Sequence, residues 1–137
     1  MDNRDILTKF DNKAGAKLSF IDMMRLYNHS KAAQVVWSMA LQRHLSATEG
    51  WKGITVYSCH PGWTLFKFMG TTFGISNVEG AATVVWLAVT SEPVLPGMEG
   101  LFWDRMKWKW IEPWSLNVGL QNELWDVWCK DTDTPLL

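Results

Sequence analysis

The sequence predicts the closing part of an alternating α/β fold, with about two parallel strands and three helices. Three observations predict it. Segments alternate in the order helix, strand, helix, strand, helix, and two of the helices open on a Ser-x-x-acid capping signal. A strand–helix–strand unit with short links makes a parallel pair joined by a right-handed crossover. Parallel strands are almost always covered on both faces within larger sheets, and two strands alone make no stable sheet. The chain therefore reads as a single truncated domain over residues 1–137 whose sheet lacks its beginning.

Residues 1–18 are polar, without a period, and read as a poorly ordered lead-in. Ser19-Phe-Ile-Asp22 starts a helix that no Gly or Pro interrupts until about Leu45. It is apolar over most of its circumference, with Lys31, Gln34, Ser38 and Gln42 on one polar stripe. The β-branched run Ile54-Thr-Val-Tyr-Ser-Cys59 reads as a buried strand, stopped by His60-Pro61-Gly62. An aromatic, glycine-rich stretch at 63–75 reads as a loop. Ser76-Asn-Val-Glu79 is a full capping box for a helix to about Thr90. Gly100-Leu-Phe-Trp-Asp104 reads as a second strand, 105–115 as a Trp/Lys-rich loop, and Leu116 to Lys130 as the last helix. Leu116, Leu120, Leu124 and Val127 stand at helical spacing along that helix.

Composition narrows the function classes. A hydrophobic content of 47%, a charged content of 20% and a net charge of −1 describe a globular chain with no electrostatic case for nucleic acid. Two cysteines, Cys59 and Cys129, have no metal-ligand spacing and form no disulfide framework; with the polar N-terminus they favour an intracellular, cytoplasmic setting. The cysteines read as small buried apolar residues, His60 as a strand end satisfied by backbone, and His29 and His44 as helix-surface residues. No metal site is expected. Ten tryptophans are many for a domain this small, and some of their surface is expected to be covered by something else.

Tyr27 and Lys31 carry the chemistry. Residues four apart share a helix face, so the Lys31 ammonium can lie beside the Tyr27 phenol. A phenol ordinarily ionises near pH ~10, and a nearby cation favours the phenolate, moving tyrosine toward acid–base work.

Tyr27-x-x-Ser30-Lys31 on a helix, followed by a strand running into His60-Pro61-Gly62, resembles the C-terminal half of a short-chain dehydrogenase/reductase. Within that family the retinol-dehydrogenase-like branch, which includes the WW-domain-containing oxidoreductases, is the more similar. Lys17-Leu18-Ser19-Phe20, Glu79-Gly80-Ala81-Ala82 and Leu124-Trp125-Asp126-Val127 also resemble segments of that branch, in the same order. The resemblance covers roughly residues 16–130. It implies a Rossmann-type doubly wound parallel sheet and hydride transfer between NAD(P) and a hydrophobic alcohol or carbonyl compound. It also implies Tyr27 as general acid/base, with Lys31 lowering its pKa and binding the nicotinamide ribose. Pro61 and Gly62 would pass under the nicotinamide, and Thr64 would stand in for a carboxamide contact where Phe66 occupies the usual place.

The departures are as specific. The family's Gly-x-x-x-Gly-x-Gly turn, which cradles the cofactor pyrophosphate, has no counterpart; Gly70-Thr-Thr-Phe-Gly74 has the wrong spacing and no strand before it. Asn12-Lys13-Ala14-Gly15 is similar to the family's Asn-Asn-Ala-Gly strand end but stands too close to Tyr27. The catalytic serine is missing upstream, and Ser19 is too near Tyr27 to replace it. The expectation is an oxidoreductase by descent, inactive as this fragment alone, that would take a small hydrophobic substrate once an N-terminal dinucleotide-binding half completes it. The alternative is a non-catalytic remnant acting as a protein-interaction module in a homo- or hetero-oligomer. Membrane association through the Trp108-Lys-Trp-Ile-Glu-Pro-Trp114 segment is a third, less favoured reading.

Overall fold

The computed structural model describes residues 17–62, 75–90, 102–109 and 111–134. Residues 1–16 of the expected lead-in and 63–74 of the expected loop, and Thr64, Phe66 and Gly100 with them, lie outside the described residues. The chain divides into two compact units, one within Met1–Val56 and Glu112–Leu137, the other within Tyr57–Ile111.

The first unit is built on helix α1 (Phe20–Ala47), capped by Ser19, whose side chain accepts the Asp22 N–H. Its inward stripe is His29, Ala33, Val36, Met39, Ala40 and Leu45. Small residues at 33 and 40 leave room for helix α3 (Val118–Asp131), and Ala33, Val36, Leu120 and Leu124 form the core between the two helices. Leu124 and Val36 are wholly buried. Tryptophans close the cluster: Trp37 stacks on both Trp125 and Trp128 with ring centroids 5.8 Å apart, and His44 stacks on Trp125 at 4.2 Å. A 3₁₀ turn, Pro113–Leu116, leads into α3, which Asn117 caps through the Leu120 N–H. The last helix thus starts two residues later than the sequence indicates, and Leu116 is exposed rather than part of its apolar stripe.

Gln42 corrects the expected polar stripe. It is buried, and its side chain works as a clip: Oε1 accepts the Val56 N–H at 2.6 Å, while Nε2 donates to the Ile54 carbonyl at 3.1 Å. A buried amide must find partners for both ends, and here the segment after the helix supplies them.

The second unit holds a three-stranded sheet of order β1-β2-β3 and helix α2 (Asn77–Val89). Strand β1 is Ser58–His60, shorter and later than expected, because Ile54 and Val56 are engaged by Gln42 instead of a ladder. It pairs in parallel with β2 (Phe102–Asp104), as the crossover argument predicts, with Cys59 opposite Trp103 and His60 opposite Asp104. The loop expected from 105 is instead a hairpin. Arg105 and Met106 turn the chain at φ of 50° and 57°, and β3 (Lys107–Lys109) returns antiparallel to β2. Two positive φ values in a two-residue connection suit the twist of a hairpin, which the absence of glycine or asparagine concealed in the sequence. Helix α2 carries both arms of the expected capping box. Trp103 sits between Trp86 and Tyr57, at 5.3 and 6.4 Å. Among the described residues no helix is long and apolar enough to cross a membrane.

Candidate functional site

The phase that Ser19 gives to α1 decides where Tyr27 and Lys31 point. The inward stripe begins at His29, so Tyr27, Lys31 and Gln34 fall on the opposite face, and all three are exposed, Tyr27 to 56%. Lys31 Nζ lies 5.6 Å from the Tyr27 ring centroid and 3.5 Å from Gln34 Oε1. The ammonium therefore rests over the face of the ring, a contact worth about 0.5–1 kcal/mol at an exposed site. Ser30 Oγ donates to the Tyr27 carbonyl at 2.7 Å, so this hydroxyl serves its own helix. Phe20, Ile21, Met23 and Met24, one to two turns earlier, are exposed as well.

Pro61 and Gly62 belong to the second unit, directly after β1. Gly62 has φ +90°, and a Cβ built there would collide with the Ile75 side chain. Its N–H donates to His60 Nδ1 at 2.8 Å. The nitrogen that accepts must hold the lone pair, so the ring proton of neutral His60 sits on Nε2. The strand-end reading of His60 holds, with the backbone partner identified. The sequence signal for the tight turn was there in Pro-Gly; the imidazole acceptor left none.

The remaining candidates resolve differently. Cys59 is half-buried in β1, and that burial pushes its thiol above the ordinary value, away from nucleophilic use. Cys129 is half-buried on α3 and free. His29 is not a surface residue but buried on the inward stripe of α1, and His44 is half-buried against Trp125. A stripe read as polar or apolar by residue type misplaces histidine, whose ring packs as readily as it hydrates. Among the described residues no group of three or more His, Cys, Asp or Glu could hold a metal ion.

Tyr27-x-x-Ser30-Lys31 on α1 and the Pro61-Gly62 turn after β1 are the motifs on which the sequence resembles the short-chain dehydrogenases/reductases. Comparison with known proteins agrees. The chain is 30% identical over 121 residues to retinol dehydrogenase 12 of Bos taurus, covering 76% of this chain and 35% of that protein. It is 28% identical over 143 residues to retinol dehydrogenase 11 of Homo sapiens, covering 93% of this chain and 41% of the relative. To the WW domain-containing oxidoreductase of Gallus gallus it is 32% identical over 95 residues, 60% of this chain and 22% of that one. These homologues match the retinol-dehydrogenase-like branch that the motifs indicate. The chain spans between about a third and two fifths of the length of the retinol dehydrogenases it matches. No protein-family model and no solved structure matches it.

Proposed function

We propose that this chain is the acid–base part of a short-chain oxidoreductase that moves hydride between NAD(P) and a hydrophobic alcohol or carbonyl compound. The observation that carries the proposal is the Tyr27–Lys31 pair, held on one exposed helix face with the ammonium 5.6 Å from the ring centre. A phenol so placed gives a proton to a carbonyl oxygen or takes one from an alcohol. The Lys31 ammonium, with three donors, suits the hydroxyls of a ribose, and it reaches the phenol edge by rotating its flexible stem. Gly62, at φ +90° with the Ile75 side chain against it, holds the turn that follows Pro61.

Tyr27 and Lys31 fit the nicotinamide-ribose half of NAD(P), the group that carries the hydride. They do not fit its pyrophosphate, because the sequence has no glycine-rich turn opening a helix. The chain alone is therefore inactive, and the substrate class is the one the relatives' names suggest, retinol being the first to assay. The test is a chimera in which the dinucleotide-binding half of retinol dehydrogenase 11 precedes this chain. Turnover of retinol with NADP is expected, abolished by Tyr27→Phe with cofactor affinity nearly unchanged. Turnover that survives Tyr27→Phe removes the assignment.

The interaction-module reading has an observation of its own in Phe20, Ile21, Met23 and Met24, exposed at the start of α1. If the folded chimera binds cofactor yet turns over neither retinol nor other apolar alcohols, that reading replaces the first.

A further inference from the structure

The β2–β3 hairpin is not used by the oxidoreductase reading. Arg105 and Met106 form its tip and Lys107, Trp108 and Lys109 follow along β3, all exposed, with Met106 at 46% and Trp108 at 37%. Three cations face one carboxylate, Asp104, which pairs with Arg105 at 3.2 Å and Lys109 at 3.9 Å. Lys107 makes no ion pair among the described residues. The turn itself is costly. Arg105 and Met106 both adopt left-handed backbone, where a residue with a Cβ loses roughly 1–2 kcal/mol. Asn-Gly would make the same turn without that cost, so turn geometry does not account for the side chains placed there.

We propose that this hairpin tip docks on an anionic lipid surface. Met106 and Trp108 enter the headgroup layer, while Arg105, Lys107 and Lys109 pair with lipid phosphate and carboxylate groups. Lys107 and Lys109 leave one side of β3 and Trp108 the other, so a tip-on approach lets both kinds of group reach the interface. Tryptophan favours the membrane–water boundary, and long cationic side chains keep their heads at it. Charge complementarity selects the lipid: the chain as a whole is nearly neutral at −1, while the hairpin sets three cations against one carboxylate. An acidic polypeptide would engage the cations but gives no reason for Met106 beside them. Protection of a sheet edge explains Lys107 and Lys109, but not Arg105 or Met106. The proposal is independent of whether Tyr27 transfers a proton.

The test is sedimentation of the full chain with vesicles of phosphatidylcholine, with and without phosphatidylserine. Binding is expected only with phosphatidylserine, and it should fall as salt rises. Lys107→Glu should cut the partition coefficient tenfold or more, at about fivefold per unit of charge. Met106→Asn should also weaken binding while raising thermal stability, because asparagine relieves the left-handed strain; a purely structural role gives no such opposed pair. Absence of binding to anionic vesicles overturns the proposal, as does binding that neither variant alters. Displacement from the vesicles by polyglutamate at matched charge, with Met106→Asn neutral, overturns it in favour of an acidic protein partner. Circular dichroism checks that each variant folds, and Lys107→Glu, at an exposed position, decides alone if Met106→Asn does not.

Discussion

Gly62 shows how much one missing side chain settles. Its φ of +90° lies where a Cβ is strained, and the space a Cβ would take is filled by Ile75. Gly62→Ala should therefore destabilise the protein by about 1–3 kcal/mol, read as a lower denaturant midpoint with unchanged slope. A stability within error of the parent would show that the turn relaxes. His60-Pro61-Gly62 announced that turn in the sequence, since Pro and Gly stop a strand. The bond from Gly62 N–H to His60 Nδ1 was not announced, because it depends on a rotamer and not on residue type. Tyr27 and Lys31 were legible for the opposite reason. Helical periodicity alone puts them on one face, whereas the position of the ammonium over the ring rather than at the hydroxyl is a side-chain choice.

Capping signals carried the helices, and tertiary hydrogen bonds decided the strands. Ser19 and Ser76 start α1 and α2 where their motifs place them, because a cap satisfies donors within a few residues of itself. Strand β1 begins later than its β-branched run because Gln42, distant in sequence, takes the Ile54 and Val56 backbone groups. Gln42→Leu should cost about 1–3 kcal/mol for groups left without partners and speed hydrogen exchange at the Val56 amide. Unchanged exchange there would mean that the clip is dispensable. At the start of α2, hydrogen bonds from the Ser76 backbone and then its side chain hold the exposed Glu79 carboxyl below its ordinary value. A carboxyl whose folded pKa is depressed stabilises the fold above its unfolded pKa, and that contribution fades as pH falls through the folded one. Acidification below the ordinary carboxylate range should thus loosen the first turn of α2, and Glu79→Gln should remove that part of the pH dependence. A melt-versus-pH curve identical in the variant would rule the box out as its source.

At the scale of the whole molecule, composition posed the question that the functional reading has to meet. Ten tryptophans are many for a domain of this size to bury. In the first unit, Trp37, Trp125 and Trp128 stack into one cluster, while Trp51 stays exposed; in the second, Trp86 and Trp103 pack together and Trp108 is exposed at the hairpin. The parallel pairing of β1 with β2 followed from element order, because a crossover constrains hand and direction, but the third strand did not, because its turn lacks the residues that mark hairpins. The same tryptophans provide the readout for the last prediction. A ligand at a hundred times its Kd stabilises a folded chain by about 2.7 kcal/mol, enough to raise Tm by several degrees. The pyrophosphate contributes much of a dinucleotide's grip through backbone donors at a glycine-rich helix start, and this sequence has none. NADPH at millimolar concentration should therefore leave both the Tm and the tryptophan emission of the 137-residue chain unchanged, while the chimera carrying a dinucleotide-binding half responds in both. A saturable rise in Tm with the chain alone would show that it holds the cofactor without a phosphate cradle, and the inactivity proposed for the isolated chain would have to be withdrawn.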